Sequence, residues 1–446
     1  MKVLHMPIAM LSRCRGHVGR FGKLLRLGAV RHLAVKALPS FDPDNGQVIF
    51  ANQSTWQLTF SWLLLSLCRH RILVDLGSKI LGQSWICREP QRLTSRALLA
   101  SVRSTAFAHF CGGETLQDCV GRGKHLSSAG VRCIVDWGVE ESSEPAAWET
   151  NMLRKVETLQ RAKEVLGLSA AFMPIKLTSI LSPALLERWT AVVQDGSQPP
   201  EDWHLEEEVA AALQRLRRIC EAAKDAAIPL LLDAEQSGRQ PAVHLLARQL
   251  QREFNTEEPI VYDTVQMYLK ASPQRLDQAL HYAGQHGYIY AVKLVRGAYI
   301  EQERPFGTIF DTKEDTDAAF ETAAEKILQA IVTKRPSAAL MLATHNRSSL
   351  FNAVQMMEKL GLARNDQRVH FAQILGMVDN LTYALGLAGY NASKLLVFGQ
   401  IHEVLPWLLR RTRENRDAFG AQAHELPVLR NEIRRRLLGR LGRVPR

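Results

Sequence analysis

From residue 130 the chain alternates between two patterns. One is a short run of almost unbroken apolar residues: VRCIVDWGV (131–139), FMPIKLT (172–178), IPLLLDAE (228–235), PIVYDTVQ (259–266), YIYAVKLVRG (288–297), ALMLATHN (339–346), VHFAQILG (369–376) and SKLLVFG (393–399). The other is a longer stretch with apolar residues at helical spacing, such as EEEVAAALQRLRRICEAAKDAA and DTDAAFETAAEKILQAIVTK. Runs without polar alternation suit parallel strands buried on both faces, and parallel strands need long crossovers of the kind the helical stretches supply. Eight such units predict an α/β fold closed into a (β/α)8 barrel, with an open doubly wound sheet as the alternative. Before them, residues 41–129 carry the helical period alone, in STWQLTFSWLLLSLC and RALLASVRSTAFAHFCGGETLQDCV. The expected organisation is therefore a leader (1–40), an N-terminal helical region (41–129), the barrel (130–438) and a basic tail (439–446).

Charge changes the picture at the two ends only. The net charge is +11, but residues 1–40 hold eight Lys and Arg with no acid, and residues 434–446 hold six Arg with no acid. Residues 41–433 are left at net −3, so the body lacks the basic footprint of a nucleic-acid binder. An Arg-rich, acid-free start suits a mitochondrial transit peptide; a disordered basic leader is the other reading. The longest apolar stretch, LTFSWLLLSLC (58–68), is too short to span a bilayer. Peripheral contact with a membrane stays open. Seven scattered cysteines without CxxC spacing argue against a disulfide framework and against a zinc site. No GxGxxG or Walker A loop is present.

In a parallel barrel the chemistry sits at the C-terminal ends of the strands. The apolar runs end in Asp136 and Glu140, Lys176 and Thr178, Asp233 and Glu235, Gln266, Arg296 and Gly297, His345 and Asn346, and Gln373 and Gly376. Seven polar ends facing one mouth are costly unless they hold a polar ligand or pair with one another. Beyond the last run, LLVFGQIHEVLPWLLRRTREN places Arg410 and Arg411 side by side. They could be a solvated helix terminus, where cations complement the dipole, or a clamp for a small carboxylate, which guanidinium binds bidentately.

Several of these stretches, in order, resemble the proline dehydrogenases, flavin-dependent oxidases of proline and hydroxyproline. They are DWGVEE, KLT, LLLDAEQ, TVQMYLK, VKLVRGAY with EQER after it, ATHN, FAQILGMVDN, LGLAGY and EVLPWLLRRTREN. The resemblance runs over roughly residues 50–438 and implies a distorted (β/α)8 barrel with FAD across the strand ends and the last helix over the mouth. It assigns Arg410 and Arg411 to the substrate carboxylate, braced by Glu414 and Glu140. Lys176 and Asp233 become a catalytic charged pair beneath the substrate, and Tyr299 lines its pocket. Lys293, Gln266 and Gly297 are implied at the flavin ring, and Thr344, His345 and Lys313 on its phosphate side. The implied reaction moves a hydride from the ring carbon beside the amine to flavin N5, giving Δ1-pyrroline-5-carboxylate, with a quinone as acceptor. A mitochondrial place on the matrix side of the inner membrane goes with it. One position departs from the pattern. Four residues before Gly399, proline-specific members carry tyrosine and hydroxyproline-specific members serine, whereas this chain has Leu395. Hydroxyproline dehydrogenase and a flavin-binding pseudoenzyme therefore remain alternatives.

Overall fold

The structure, a computed structural model, describes residues 38–138, 141–142, 144–194, 203–334 and 337–440, without the side chains of residues 71, 194, 411–423 and 440. Its contacts divide the chain into Met1–Leu38 and Pro39–Arg446, and every described element lies in the second unit. The expected leader falls almost wholly outside the described residues.

All eight apolar runs are strands: β1 (Val131–Trp137), β2 (Ala170–Ile175), β3 (Leu230–Leu232), β4 (Val261–Gln266), β5 (Tyr290–Val295), β6 (Ala338–Ala343), β7 (Val369–Ile374) and β8 (Ala392–Phe398). Each pairs in parallel with its sequence neighbour, and β1 pairs with β8 along all seven residues, from Val131 opposite Ala392 to Trp137 opposite Phe398. The sheet is therefore a closed barrel, and the open-sheet alternative is excluded.

Closure explains why the runs are apolar on both faces. Inward residues Ile134, Phe172, Leu231, Tyr262, Ala291, Met341 and Ala372 form one cluster inside the barrel, with Leu395 against it. Outward residues such as Val131, Cys133 and Val135 join the larger core under the helices. Inside, the Phe172 ring meets Tyr262 edge-on at 5.3 Å and His370 at 4.8 Å. Burial lowers the His370 pKa to about 4, so this ring is neutral at pH 7. Truncating Phe172 to alanine would cost roughly 3–5 kcal/mol, the usual range for a large core aromatic.

Local signals set the surrounding helices. Ser54 and Gln57 make a reciprocal capping box on the helix Thr55–Cys68. Thr312 caps Lys313–Thr333 by accepting from the Asp315 N–H, and Asn346 caps Arg347–Lys359 by accepting from the Ser349 N–H. Proline opens Pro145–Leu166, and Gly287 in the left-handed region ends Ser272–His286. The N-terminal helical stretch resolves into Gly46–Ile49, Thr55–Cys68, Arg71–Leu81, Ser84–Arg88 and Leu93–Val102, then a π turn, a short helix and Leu116–Ser127. The last helix, Ile401–Arg440, starts just past β8 and runs against the helices Thr55–Cys68 and Arg71–Leu81. Near its far end Arg436 donates to the carbonyls of Phe50 and Gln53, and Glu432 holds both Arg435 and Arg436.

Candidate active site

At the C-terminal mouth of the barrel, Lys293 projects inward from β5 and its Nζ lies 2.6 Å from Oδ1 of Asp233. Asp233 follows β3 directly, where its N–H donates to the Ile175 carbonyl of β2. Gln266, at the end of β4 and buried, joins three loops. Its Nε2 donates to the Glu235 carbonyl (2.9 Å), its Oε1 accepts from the Ala298 N–H (3.3 Å), and its carbonyl accepts from Ser272 Oγ (2.6 Å). Tyr299 OH reaches back to the Ala234 carbonyl at 3.3 Å. Residues from β3, β4 and β5 thus converge on one polar rim.

Glu235 is buried under that rim. Its carboxylate accepts from Thr178 Oγ1 at 2.9 Å, and its N–H donates to Gln240 Oε1. Burial pushes its carboxyl above the usual range, while Lys176 and Thr178 pull it back. Lys176 therefore acts on Glu235 electrostatically, and Lys293 is the cation that meets Asp233. The resemblance had set Lys176 beside Asp233 and Lys293 beside a cofactor; the structure instead pairs Asp233 with Lys293 and sets Lys176 near Glu235.

Gly297 has φ +152, and a Cβ there would stand 2.1 Å from ring carbons of Tyr268. The glycine is thus required by the protein's own packing. Glu303 of the EQER stretch, also buried, accepts from the Ser237 N–H (2.6 Å) and from Thr308 Oγ1 (3.1 Å). It pins the segment after Gly297 to the loop after β3.

A second cluster lies at the ends of β5 and β6. Arg296 Nε meets Asp317 at 2.6 Å, Nη1 donates to Thr344 Oγ1 (2.6 Å), and Nη2 donates to Ser349 Oγ (2.9 Å). Its guanidinium lies over Phe320, 4.6 Å from the ring centre. Lys313 pairs with the same Asp317 one turn away. Burial raises the Asp317 carboxyl, but its hydrogen bonds from Lys313 and Arg296 outweigh this and hold it below the ordinary range. His345 Nε2 accepts from the Ile374 N–H at 3.1 Å, which puts the ring proton on Nδ1. Two cations on one carboxylate, beside the capped N-terminus of Arg347–Lys359, make this corner favourable to an anion.

Other polar strand ends turn out to be structural. Asp136 pairs at 3.0 Å with Lys155, whose Nζ also reaches the Trp137 and Pro174 carbonyls. Gln373 bridges the Thr344 carbonyl and Thr382, and the Gly376 carbonyl bonds to His109 Nε2. Leu395 sits opposite Ile134 and Ile374 in the strand register. Arg410 is half-buried in the last helix. Glu140 lies outside the described residues, as do the side chains of Arg411 and Glu414. Sequence reading assigned no role to Asp317, Glu303 or Tyr268, although Glu303 lies in the quoted EQER stretch and Tyr268 in TVQMYLK. Asp317 also left a signal in its spacing of four from Lys313 on one helix face.

A family model described as proline dehydrogenase matches residues 119–423. The chain belongs to the proline dehydrogenase family. Among its relatives is hydroxyproline dehydrogenase of Bos taurus, 32% identical over 94% of this chain and 99% of that one. Another is proline dehydrogenase 1, mitochondrial, of Arabidopsis thaliana, 28% identical over 87% of this chain and 85% of that one. In fold the chain is similar to proline utilization A of Bdellovibrio bacteriovorus inactivated by N-propargylglycine, with a TM-score of 0.61 and 17% identity. That match covers 86% of this chain and 40% of the longer bacterial chain. The proline dehydrogenase family model thus takes in all eight strands and ends inside the last helix.

Proposed function

We propose that this protein is an FAD-dependent proline dehydrogenase, oxidising L-proline to Δ1-pyrroline-5-carboxylate in proline catabolism and passing the electrons to a quinone. The observation that carries the reading is the convergence of Asp233, Lys293, Gln266 and Tyr299 on one rim, next to the anion-favouring corner of Arg296, Lys313 and Thr344. That corner suits the pyrophosphate of FAD, with Thr344, His345 and Lys313 as its holders. Gln266, Lys293 and Gly297 would hold the ring system. When bound, the flavin supplies a hydride acceptor, the chemistry no side chain provides.

The remaining work falls to the chain. Arg410 and Arg411 would fix the substrate carboxylate, with Glu414 and Glu140 bracing the guanidinium groups. Orientation of that kind is worth several kcal/mol, on the order of what effective molarities imply. Lys176 and the arginines would also favour the neutral amine by lowering its pKa. Asp233 would hold Lys293 in place beneath the ring, and Tyr299 and Leu395 would shape the pocket. The catalytic unit is then the barrel of residues 130–438, preceded by the helical region 41–129 and followed by the basic tail 439–446.

The mitochondrial assignment draws on the acid-free start of the sequence and on relatives named mitochondrial. For a peripheral place at the inner membrane, the support is the helix Arg71–Leu81. It exposes Ile72 (81%), Leu76 (55%) and Ile80 (44%) at a spacing of four. No helix among the described residues is long and apolar enough to cross a membrane.

The deciding experiment is turnover of the purified protein with L-proline and 4-hydroxy-L-proline, using a soluble quinone analogue. Absence of flavin absorption near ~370 and ~450 nm, the general bands of an oxidised flavin, even after FAD is added, would end the proposal. A hydroxyproline dehydrogenase is the second reading, favoured by the 32% identity to relatives of that name. Leu395 offers the ring packing and no hydrogen bond, which supports the unsubstituted ring. Leu395→Ser should shift the preference toward the hydroxylated ring. Flavin bound without turnover of either imino acid would point instead to a pseudoenzyme.

A further inference from the structure

Behind the end of β7 and β8, on the outer side of the barrel, two ionisable side chains, Lys394 and Glu425, are buried beside the partly exposed Asp379. Lys394 of β8 is fully buried, and its Nζ donates to the carbonyls of Ile374 (3.0 Å) and Met377 (2.6 Å). It pairs with Asp379 at 2.7 Å. Glu425 of the last helix, 2% exposed, accepts from the Val378 N–H at 2.8 Å through one oxygen and from the Asp379 N–H at 2.7 Å through the other. Those two N–H groups open the helix Asp379–Leu387. A burial of this kind stabilises poorly, since packed apolar residues would do as well or better. It does fix geometry.

The segment it fixes, Leu375–Val378, borders the candidate site. Val378 is a non-glycine residue in the left-handed region, φ 46, and is held there by Glu425. The Leu375 N–H donates to the carbonyl of Leu395, and the Ile374 N–H donates to His345. Glu425 thus joins the last helix to the strand ends that carry Leu395 and contact His345. Pro427, two residues further on, removes a backbone N–H from that helix, so its direction is less determined from within.

We propose that Glu425 is a positioning residue: by gripping Val378 and Asp379, with Lys394 behind them, it sets the last helix, and so Arg410, relative to the mouth. This rests on the substrate-binding role given to Arg410 above. The test is Glu425→Gln and Lys394→Met in the full-length, flavin-loaded protein, assayed for KM and kcat with L-proline. Each variant should raise KM about fivefold or more with kcat within about twofold, the pattern of lost ground-state positioning. In an Arg410→Ala background Glu425→Gln should add no further rise, because residues that act through one contact are not additive. A KM unchanged while the melting temperature falls, or a fully additive rise, overturns the proposal. Hydrogen exchange gives a readout independent of turnover. Peptides covering 374–379 and 401–410 should both exchange faster in Glu425→Gln, or in Glu425→Asp if the glutamine variant does not fold. Faster exchange at 374–379 alone overturns the anchor even if the wild-type protein oxidises neither imino acid, a result that would instead refute the dehydrogenase reading.

Discussion

Asp233 is the residue on which the proposed chemistry can be tested most directly. Its partner Lys293 approaches to 2.6 Å, yet about a third of the Asp233 side chain remains exposed. Asp233→Ala should abolish proline turnover while circular dichroism and melting temperature stay close to wild type; wild-type turnover would make Asp233 structural. Arg411→Ala should raise the proline KM far more than it weakens flavin retention, and an unchanged KM would remove the carboxylate clamp. Glu425 is the opposite kind of residue. Burial, then the charge of Asp379, push its carboxyl up to about 8, while Lys394 and the two N–H donors pull it down. Tyr383 faces the same junction, and Arg122 and His109 lie further round it. The unfolded chain gives up this proton near 4.5 and the folded one near 8. Between those values the unfolded state binds fewer protons, so stability should fall as pH rises. Melting curves from pH 5 to 8 should show wild type losing ground to Glu425→Gln with rising pH. Parallel curves would contradict this.

The strands and helices differ in how much of them could be read in advance. Eight apolar runs matched eight strands because parallel barrel strands are buried on both faces, which leaves an unbroken hydrophobic signature. The positions of the polar strand ends were equally legible. Their partners were not, since each is chosen in three dimensions. Asp136 meets a lysine from the following helix, and Asp233 meets one sixty residues away. Lys394 reads as an ordinary polar residue of a strand, and only the closed barrel shows that its side chain is sealed outside β8. Gly297 was read as room for a ligand, and the structure adds the ring of Tyr268. Gly297→Ala should therefore destabilise the protein by about 3 kcal/mol or more, combining a steric clash with a side chain in a region only glycine tolerates. Tyr268→Ala in the same chain should recover the steric part and leave the backbone part. Thermal melts of the two variants check this, and an unperturbed Gly297→Ala would show that the Tyr268 ring can move aside at little cost.

For the whole molecule, the charge distribution separates two ways of meeting a membrane. The net +11 comes from the two ends, while residues 41–433 are slightly acidic. Attraction of the ends to anionic lipid would be electrostatic and would fade with salt over a Debye length of about 8–10 Å at ordinary ionic strength. The helix Arg71–Leu81 offers a different mechanism, because Ile72, Leu76 and Ile80 are exposed and would leave water by entering the acyl boundary. Vesicles of phosphatidylcholine alone carry no net charge, so on them the basic ends contribute little and the apolar stripe decides. The full chain should float with such vesicles, and raising the salt should not release it. Ile72→Gln combined with Ile80→Gln should leave it in solution, with turnover of a soluble quinone analogue unchanged, since both side chains are exposed rather than packed in the core. Flotation unaffected by the double substitution would locate the contact elsewhere. Binding that needs anionic lipid and vanishes with salt would assign it to the basic ends.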